Sequence, residues 1–263
     1  MVRRMRVPVV QHRSRRRRAL RRRALWTGGE FLVTAGVVLL LLVVHQLWWT
    51  NREARRDADH QVQALERQWA TPGAVSGGSP SANTGLTGGG SPRPSTAADG
   101  STTRTGSAGT PRRSQAYAVL TIPRLHLRVP IAEGVSKRNV LNKGYVGHYP
   151  GTQQPGQAGN FALAGHRNTH GEPFRYLPRL RVKDTVQVET SAATFTYTVD
   201  KILPQTSAAD SGVIRTVPRS IVKPSYGYSS PGYYVTLTTC TPEFTSRYRM
   251  VVWGTLTSMR PRT

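Results

Sequence analysis

The chain of 263 residues contains one cysteine. Cys240 closes a strand-like run, YYVTLTTC, and Pro242 follows two positions later. Proline cannot donate to a strand ladder, so pairing should stop there and leave the thiol at a rim. A lone cysteine often serves as a small buried hydrophobe. An unpaired thiol at a strand end, on the extracellular side argued below, is instead a candidate nucleophile.

Such a nucleophile needs a partner that favours the thiolate and later protonates a leaving group, and histidine does both. Of seven histidines, His12 and His45 fall before or within an apolar segment and His60 lies in a charged one. Among His126, His148, His166 and His170, the best placed is His166, because it directly follows the apolar run NFALAG and so also ends a strand. His148, in GHYPGT, is the second choice, and His126 and His170 read as loop residues. Acyl transfer also needs positive charge where an oxyanion forms, and a fixed guanidinium supplies it. Arg247 and Arg249 follow Cys240 on a return strand and, two apart, share a face. Arg249 leads into MVVWG and is the more firmly held by a sheet.

With ordinary pKa values of ~8.5 for Cys and ~6.5 for His, a thiolate beside an imidazolium is a minority state, roughly 1% near pH 7.5. The rate profile is then expected to be bell-shaped and centred between those values.

Strands must position these groups. Candidate strands cover 117–122, 161–164, 185–189, 194–199, 233–239 and 249–256. In the fourth, Phe195, Tyr197 and Val199 alternate with threonines, the period of a half-buried strand. Short helices are expected near 136–141, with Ser136 as N-cap, and near 173–177. The fold class is all-β, a barrel with a few short helices, over one domain at 116–257 followed by a tail at 258–263.

Charge explains the rest of the chain. The formal net charge is +24, from 37 Lys+Arg and 13 Asp+Glu. A balance of that size first suggests nucleic acid. Residues 1–30, however, hold 11 arginines against Glu30, and residues 31–49 that follow hold no formal charge. A helix needs ~20 residues to cross ~30 Å of hydrocarbon. Trp48 and Trp49 stand where an interfacial aromatic belt would lie, and no small-x-small cleavage site follows. The basic block therefore reads as a positive-inside signal: 1–30 as a cytoplasmic tail that also touches anionic lipid, 31–49 as a single membrane span, and the rest outside. No nucleic-acid partner is expected. Residues 50–70 read as a solvated juxtamembrane helical stalk, with Val62, Leu65 and Trp69 at helical spacing. Residues 71–115 are dominated by Gly, Ser, Thr and Pro and read as a disordered spacer.

The segments TLTTCTPEFTSRYR (236–249) and ALAGHR (162–167), supported by LTIPRLHLRVPI (120–131), GHYPGTQQPGQAGNFALAGHR (147–167) and VVWGTL, resemble the sortase family of cysteine transpeptidases. The resemblance is closest to class E sortases of high-GC Gram-positive bacteria. It implies a closed eight-stranded β-barrel. It also implies that Cys240 attacks the Thr–Gly carbonyl of a C-terminal sorting signal and that His166 protonates the departing amine. Arg249, ahead of Arg247, stabilises the oxyanion or orients substrate, with Thr239 as a neighbour. The partners implied are surface proteins bearing the signal and a peptidoglycan precursor or lipid-linked wall peptide. Class E relatives favour Leu-Ala-x-Thr-Gly over Leu-Pro-x-Thr-Gly, a preference linked to a tyrosine for which Tyr149 is the candidate, with 204–231 as a groove wall. One departure is Thr241, where some relatives carry His. The seven acids of 116–257 are scattered, so no metal and no cofactor is expected. The alternatives are a peptidoglycan L,D-transpeptidase, whose Ser-His-Gly-x-x-x-Cys signature is absent, and a non-catalytic extracytoplasmic wall-binding or assembly module.

Overall fold

The computed structural model describes residues 13–70 and 111–262; expectations for 1–12 and for most of the spacer, 71–110, lie outside the described residues. Eight strands form the scaffold: β1 (Ala116–Ile122), β2 (Leu127–Glu133), β3 (Val146–His148), β4 (Gly159–Ala164), β5 (Thr185–Glu189), β6 (Ala193–Ser207), β7 (Tyr233–Thr241) and β8 (Tyr248–Pro261). They close into a barrel in the order β1-β2-β3-β4-β7-β8-β6-β5. Closure pairs every edge, which removes the unpaired N–H and C=O rows of an open sheet. Neighbours run antiparallel except β2 with β3 and β4 with β7.

The strand pattern follows from period-two burial. In β6, Ala193, Phe195, Tyr197 and Val199 are buried while the threonines between them are half-exposed. In β7, Val235 and Leu237 enter the main core with Phe161, Leu163, Ile131 and Val252. Their even-numbered neighbours Thr236, Thr238 and Cys240 consequently face outward. On the same outer face of β8, Val251 and Trp253 pack with Leu203 and Val213 beneath the long β6–β7 connection.

Several boundaries differ from the sequence expectation. β2 carries Pro130 and β3 has three residues, so neither reads as a strand on its own, yet both pair with a neighbour on each side. The two short helices are only tight turns: Val140 N–H bonds Ser136 O at 3.0 Å, and short 3-10 segments follow at Leu141–Lys143 and Leu177–Arg179. The residues expected as a tail extend β8, where Pro261 stands opposite Ala193.

A helix, α1 (Arg13–Ala70), precedes the barrel, and the chain divides into two compact units, Met1–Thr50 and Asn51–Thr263. In the first unit, the most apolar 18-residue window has a mean hydropathy of 2.2. Its large apolar side chains, from Phe31 and Leu32 through Val44, are exposed. That stretch is long and apolar enough to cross a membrane.

In the second unit, residues 51–70 correct the expectation of a solvated stalk. Ala54, Ala58, Val62 and Leu65 form one buried stripe at helical spacing. Val62 and Leu65 pack on Val119, and Ala58 on Ala132, Val140, Leu141 and Tyr145. Close approach depends on small residues: Gly144 has φ +77°, and a Cβ there would lie 2.6 Å from Ala54 O. At the far end of the helix, Arg128 pairs with Glu66 and, at 3.3 Å, with Glu189. The Arg262 guanidinium bonds Glu189 and stacks 4.6 Å above the Trp69 ring.

Candidate active site

Three adjacent strands bring the predicted residues together. β4 and β7 run parallel, with Ala164 opposite Thr238. Gly165 N–H bonds Thr238 O at 3.1 Å, and Thr239 Oγ1 donates to Gly165 O at 2.8 Å. Two residues beyond the Ala164–Thr238 pair come His166, just after β4, and Cys240, within β7. On the opposite side of β7, Cys240 faces Arg249 of β8 directly. Residues directly opposite in an antiparallel pair project to the same face, so thiol and guanidinium share the outer surface. Arg247 lies outside β8, exposed, with its guanidinium 5.2 Å from the Tyr248 ring. Of the two arginines, Arg249 is the one that stands in the β8 ladder opposite Cys240.

Cys240 is half-buried, one residue before β7 ends at Thr241, with Pro242 beyond. The Arg249 side chain is held by the backbone of the residues before it, Nη1 donating to Ser246 O and to Tyr248 O, each at 2.9 Å.

His166 is seated by packing from behind. Phe174 is fully buried, and its N–H bonds His166 O at 2.9 Å. Its ring lies so close to Gly165 that a Cβ there would meet it at 2.6 Å, so no larger residue fits before this histidine. Asn142 Oδ1 accepts from His166 Nε2 at 2.9 Å, leaving Nδ1 with its lone pair. Burial, then the neighbouring His170 and Lys137, push the His166 pKa down to about 4. The imidazole is therefore neutral at neutral pH, a proton acceptor rather than a standing cation.

The remaining candidates have other places. His148, the second-choice base, is buried in the barrel wall: Nδ1 faces Glu133 Oε2 at 2.6 Å, and Nε2 faces Thr152 Oγ1 at 2.9 Å. It anchors the turn after β3. His126 is exposed in a left-handed turn, and His170 lies 5.5 Å from the His166 ring. Tyr149 OH donates to Thr238 Oγ1 at 3.1 Å, two residues before Cys240 and on its face. Thr239 has the opposite parity, buried, its hydroxyl spent on Gly165 O. It stitches β7 to the end of β4 rather than lining the approach to the thiol.

Sequence reasoning missed two contacts. Arg167 Nη1 donates to Cys240 O at 3.3 Å and to Thr241 Oγ1 at 2.9 Å, tying the loop after β4 to the end of β7. Its only signal was adjacency to His166. Asn142 gave none, since it lies 24 residues upstream of the histidine it holds. Among the described residues, no group of three or more His, Cys, Asp or Glu gathers as a metal site would need.

Residues 120–257, more than half of the chain, match the sortase domain family. This chain belongs to the sortase family. It is 42% identical to Sortase SrtE1 of Streptomyces coelicolor over 239 residues, covering 89% of this chain and 57% of that protein. It is 32% identical to Sortase SrtE2 of the same organism, covering 87% of this chain and 80% of that one. The chain thus spans little more than half the length of SrtE1. Among solved structures, it resembles Sortase E1 from Streptomyces coelicolor with a tripeptide in the active site (50% identity, TM-score 0.54, 58% of this chain and 94% of that chain). It also resembles sortase E from Streptomyces avermitilis (39%, 0.51, 57% and 93%). The SrtF sortase from Corynebacterium diphtheriae is more distant in sequence (30%, 0.52, 59% and 90%). The sortase barrel expected from the motifs is the fold observed, and class E members are among its relatives.

Proposed function

We propose that this protein is a membrane-anchored cysteine transpeptidase acting on C-terminal sorting signals. The observation that supports the reading is the register of β4, β7 and β8: His166 follows two residues after the end of β4, Cys240 stands near the end of the adjoining β7, and Arg249 lies opposite it on β8. His166 Nδ1 takes the thiol proton as Cys240 Sγ attacks the Thr–Gly carbonyl carbon. The carbonyl π pair moves to oxygen, and the Arg249 guanidinium balances that charge. Collapse of the tetrahedral species breaks the C–N bond, and imidazolium returns its proton to the departing glycine amine. This leaves a thioester on Cys240. A cell-wall peptide amine then attacks the thioester, gives a proton to neutral His166, and releases the thiol with a new amide bond. No step draws on a metal or a cofactor.

Substrate contacts are assigned to the outer face of β7. Tyr149, held through its hydroxyl by the buried Thr238 two residues before Cys240, lines the approach, and Leu-Ala-x-Thr-Gly is the preferred signal over Leu-Pro-x-Thr-Gly. Residues 204–231 wall the groove. Thr239 supports this surface from the inner side. The partners are surface proteins bearing the signal and a peptidoglycan precursor or lipid-linked wall peptide. Residues 31–49 span the membrane once, with the arginine-rich end cytoplasmic against anionic lipid.

The test uses the full chain in detergent micelles with fluorogenic Leu-Ala-x-Thr-Gly and Leu-Pro-x-Thr-Gly peptides and hydroxylamine as acceptor. Hydroxamate formation from the first peptide, lost in Cys240→Ala and in His166→Ala, is expected. Cleavage that survives Cys240→Ala removes the mechanism. Absence of cleavage of either peptide removes the substrate assignment.

A further inference from the structure

The loop after β4 is gripped from the helix at 51–70, and Glu172 is the point of purchase. Glu172 is buried and has φ +53°, a left-handed backbone uncommon for a residue with a side chain. Its Oε1 accepts from Asn51 Nδ2 at 2.7 Å. Its Oε2 accepts from Arg55 Nη2 at 3.3 Å and from Arg175 Nη1 at 2.7 Å. The preceding residue is held from the same helix: Gly171 N–H bonds Asn51 Oδ1 at 3.3 Å, and Arg55 Nε donates to Gly171 O at 3.2 Å. Asn51 and Arg55, four apart, lie on one helix face, so one turn of helix grips the backbone and side chain of two consecutive loop residues.

That grip reaches both halves of the reacting pair. Glu172 stands six residues after His166, inside a loop closed by the Phe174 N–H bond to His166 O. Arg175, held by Glu172, places Nη2 3.4 Å from Glu243 Oε1, three residues after Cys240. A chain of charges therefore runs from the helix through Glu172 and Arg175 to the segment that follows the thiol. Glu172 touches neither reacting group, so its effect on them passes through the loop.

We propose that Glu172 is a positioning residue: clamped by Asn51 and Arg55, it fixes the His166 loop against the Cys240 segment, so seating of the helix on the barrel sets the acylation rate. This rests on the transpeptidase reading above. Small misplacements of a catalytic group carry large rate costs, whereas a merely structural contact would alter stability alone.

The experiment compares full-length wild type, Arg55→Ala, Arg55→Lys, Glu172→Ala and the Arg55→Ala/Glu172→Ala double variant in micelles. Each is measured for peptide kinetics and for backbone hydrogen exchange over 167–176. Glu172→Ala is expected to lower kcat about 10-fold, with KM within about twofold. Arg55→Ala should lose about fivefold and Arg55→Lys should recover part of that loss. The double variant should be no slower than Glu172→Ala, because both act through one contact. Exchange should quicken over 167–176 while β5 and β6 stay protected. Unchanged loop exchange with unchanged kcat would overturn the proposal, and so would a kcat loss accompanied by uniformly faster exchange. The exchange measurement needs no substrate. If wild type cleaves no peptide, faster loop exchange upholds the clamp while the function proposed above falls, and unchanged exchange removes the clamp whatever the peptides do.

Discussion

His166 is neutral in the folded protein at physiological pH, and two measurable consequences follow from its depressed pKa of about 4. The first is kinetic. Ordinary values for histidine and cysteine place the acid limb of the rate profile near 6.5; burial moves it down towards 4, so activity should persist through pH 5 and 6. An acid limb near 6.5 would contradict the buried site. His170→Ala removes a like charge that helps to hold the value down, so the His166 ring protons should titrate at higher pH by NMR. The second consequence concerns stability. Because the unfolded histidine binds a proton at ~6.5 and the folded one only near 4, the unfolded state binds more protons in between. This contribution is fully present above pH 6.5 and is lost as pH falls towards 4. Denaturation midpoints of His166→Gln should be less sensitive to acid across that window. Arginine roles divide as sharply: Arg249→Ala should cost about 10²–10³ in kcat, while Arg247→Ala, exposed and outside the strand, should stay within about twofold of wild type.

At the scale of elements, the helix at 51–70 belongs to the same compact unit as the barrel. Leu65 is buried against Val62 and Val119. Leu65→Ala should destabilise the protein by about 2–4 kcal/mol in urea unfolding, the usual cost of emptying such a site; a loss under about 0.5 kcal/mol would mean the helix stands free. This packing was hard to read from sequence. Only Val62, Leu65 and Trp69 stood out as bulky residues, and the stripe is completed by Ala54 and Ala58, whose small side chains carry no amphipathic signal but allow the close approach to Gly144. The strands were legible where alternation is strong, as in β6, or where an apolar run is long, as in β7 and β8. β2 and β3 were not, because Pro130 masks one and the other is three residues long, and both are held by their neighbours' ladders. The site shows the same division. Cys240 and His166 stand out in the sequence because each closes a strand-like run; in the fold they lie one residue before the end of β7 and two residues past the end of β4. Asn142, Arg167 and Glu172 act through contacts that only the closed barrel creates.

For the whole molecule, the charge of +24 has two meanings. The arginines of residues 1–30 precede an apolar stretch, and the topology proposed above puts the surplus on the barrel outside the membrane. The single thiol gives a direct check of this orientation. In intact cells, a membrane-impermeant maleimide should label Cys240, and labelling only after lysis would reverse the topology. The central claim is narrower: Cys240 carries the acyl group. Full-length protein mixed with a sorting-signal peptide without an added amine, quenched in acid, and weighed intact should gain the mass of the peptide up to its threonine. That adduct should map to Cys240 and disappear on adding hydroxylamine. Peptide turnover with no hydroxylamine-labile adduct on Cys240, under conditions where deacylation is limiting, would contradict it.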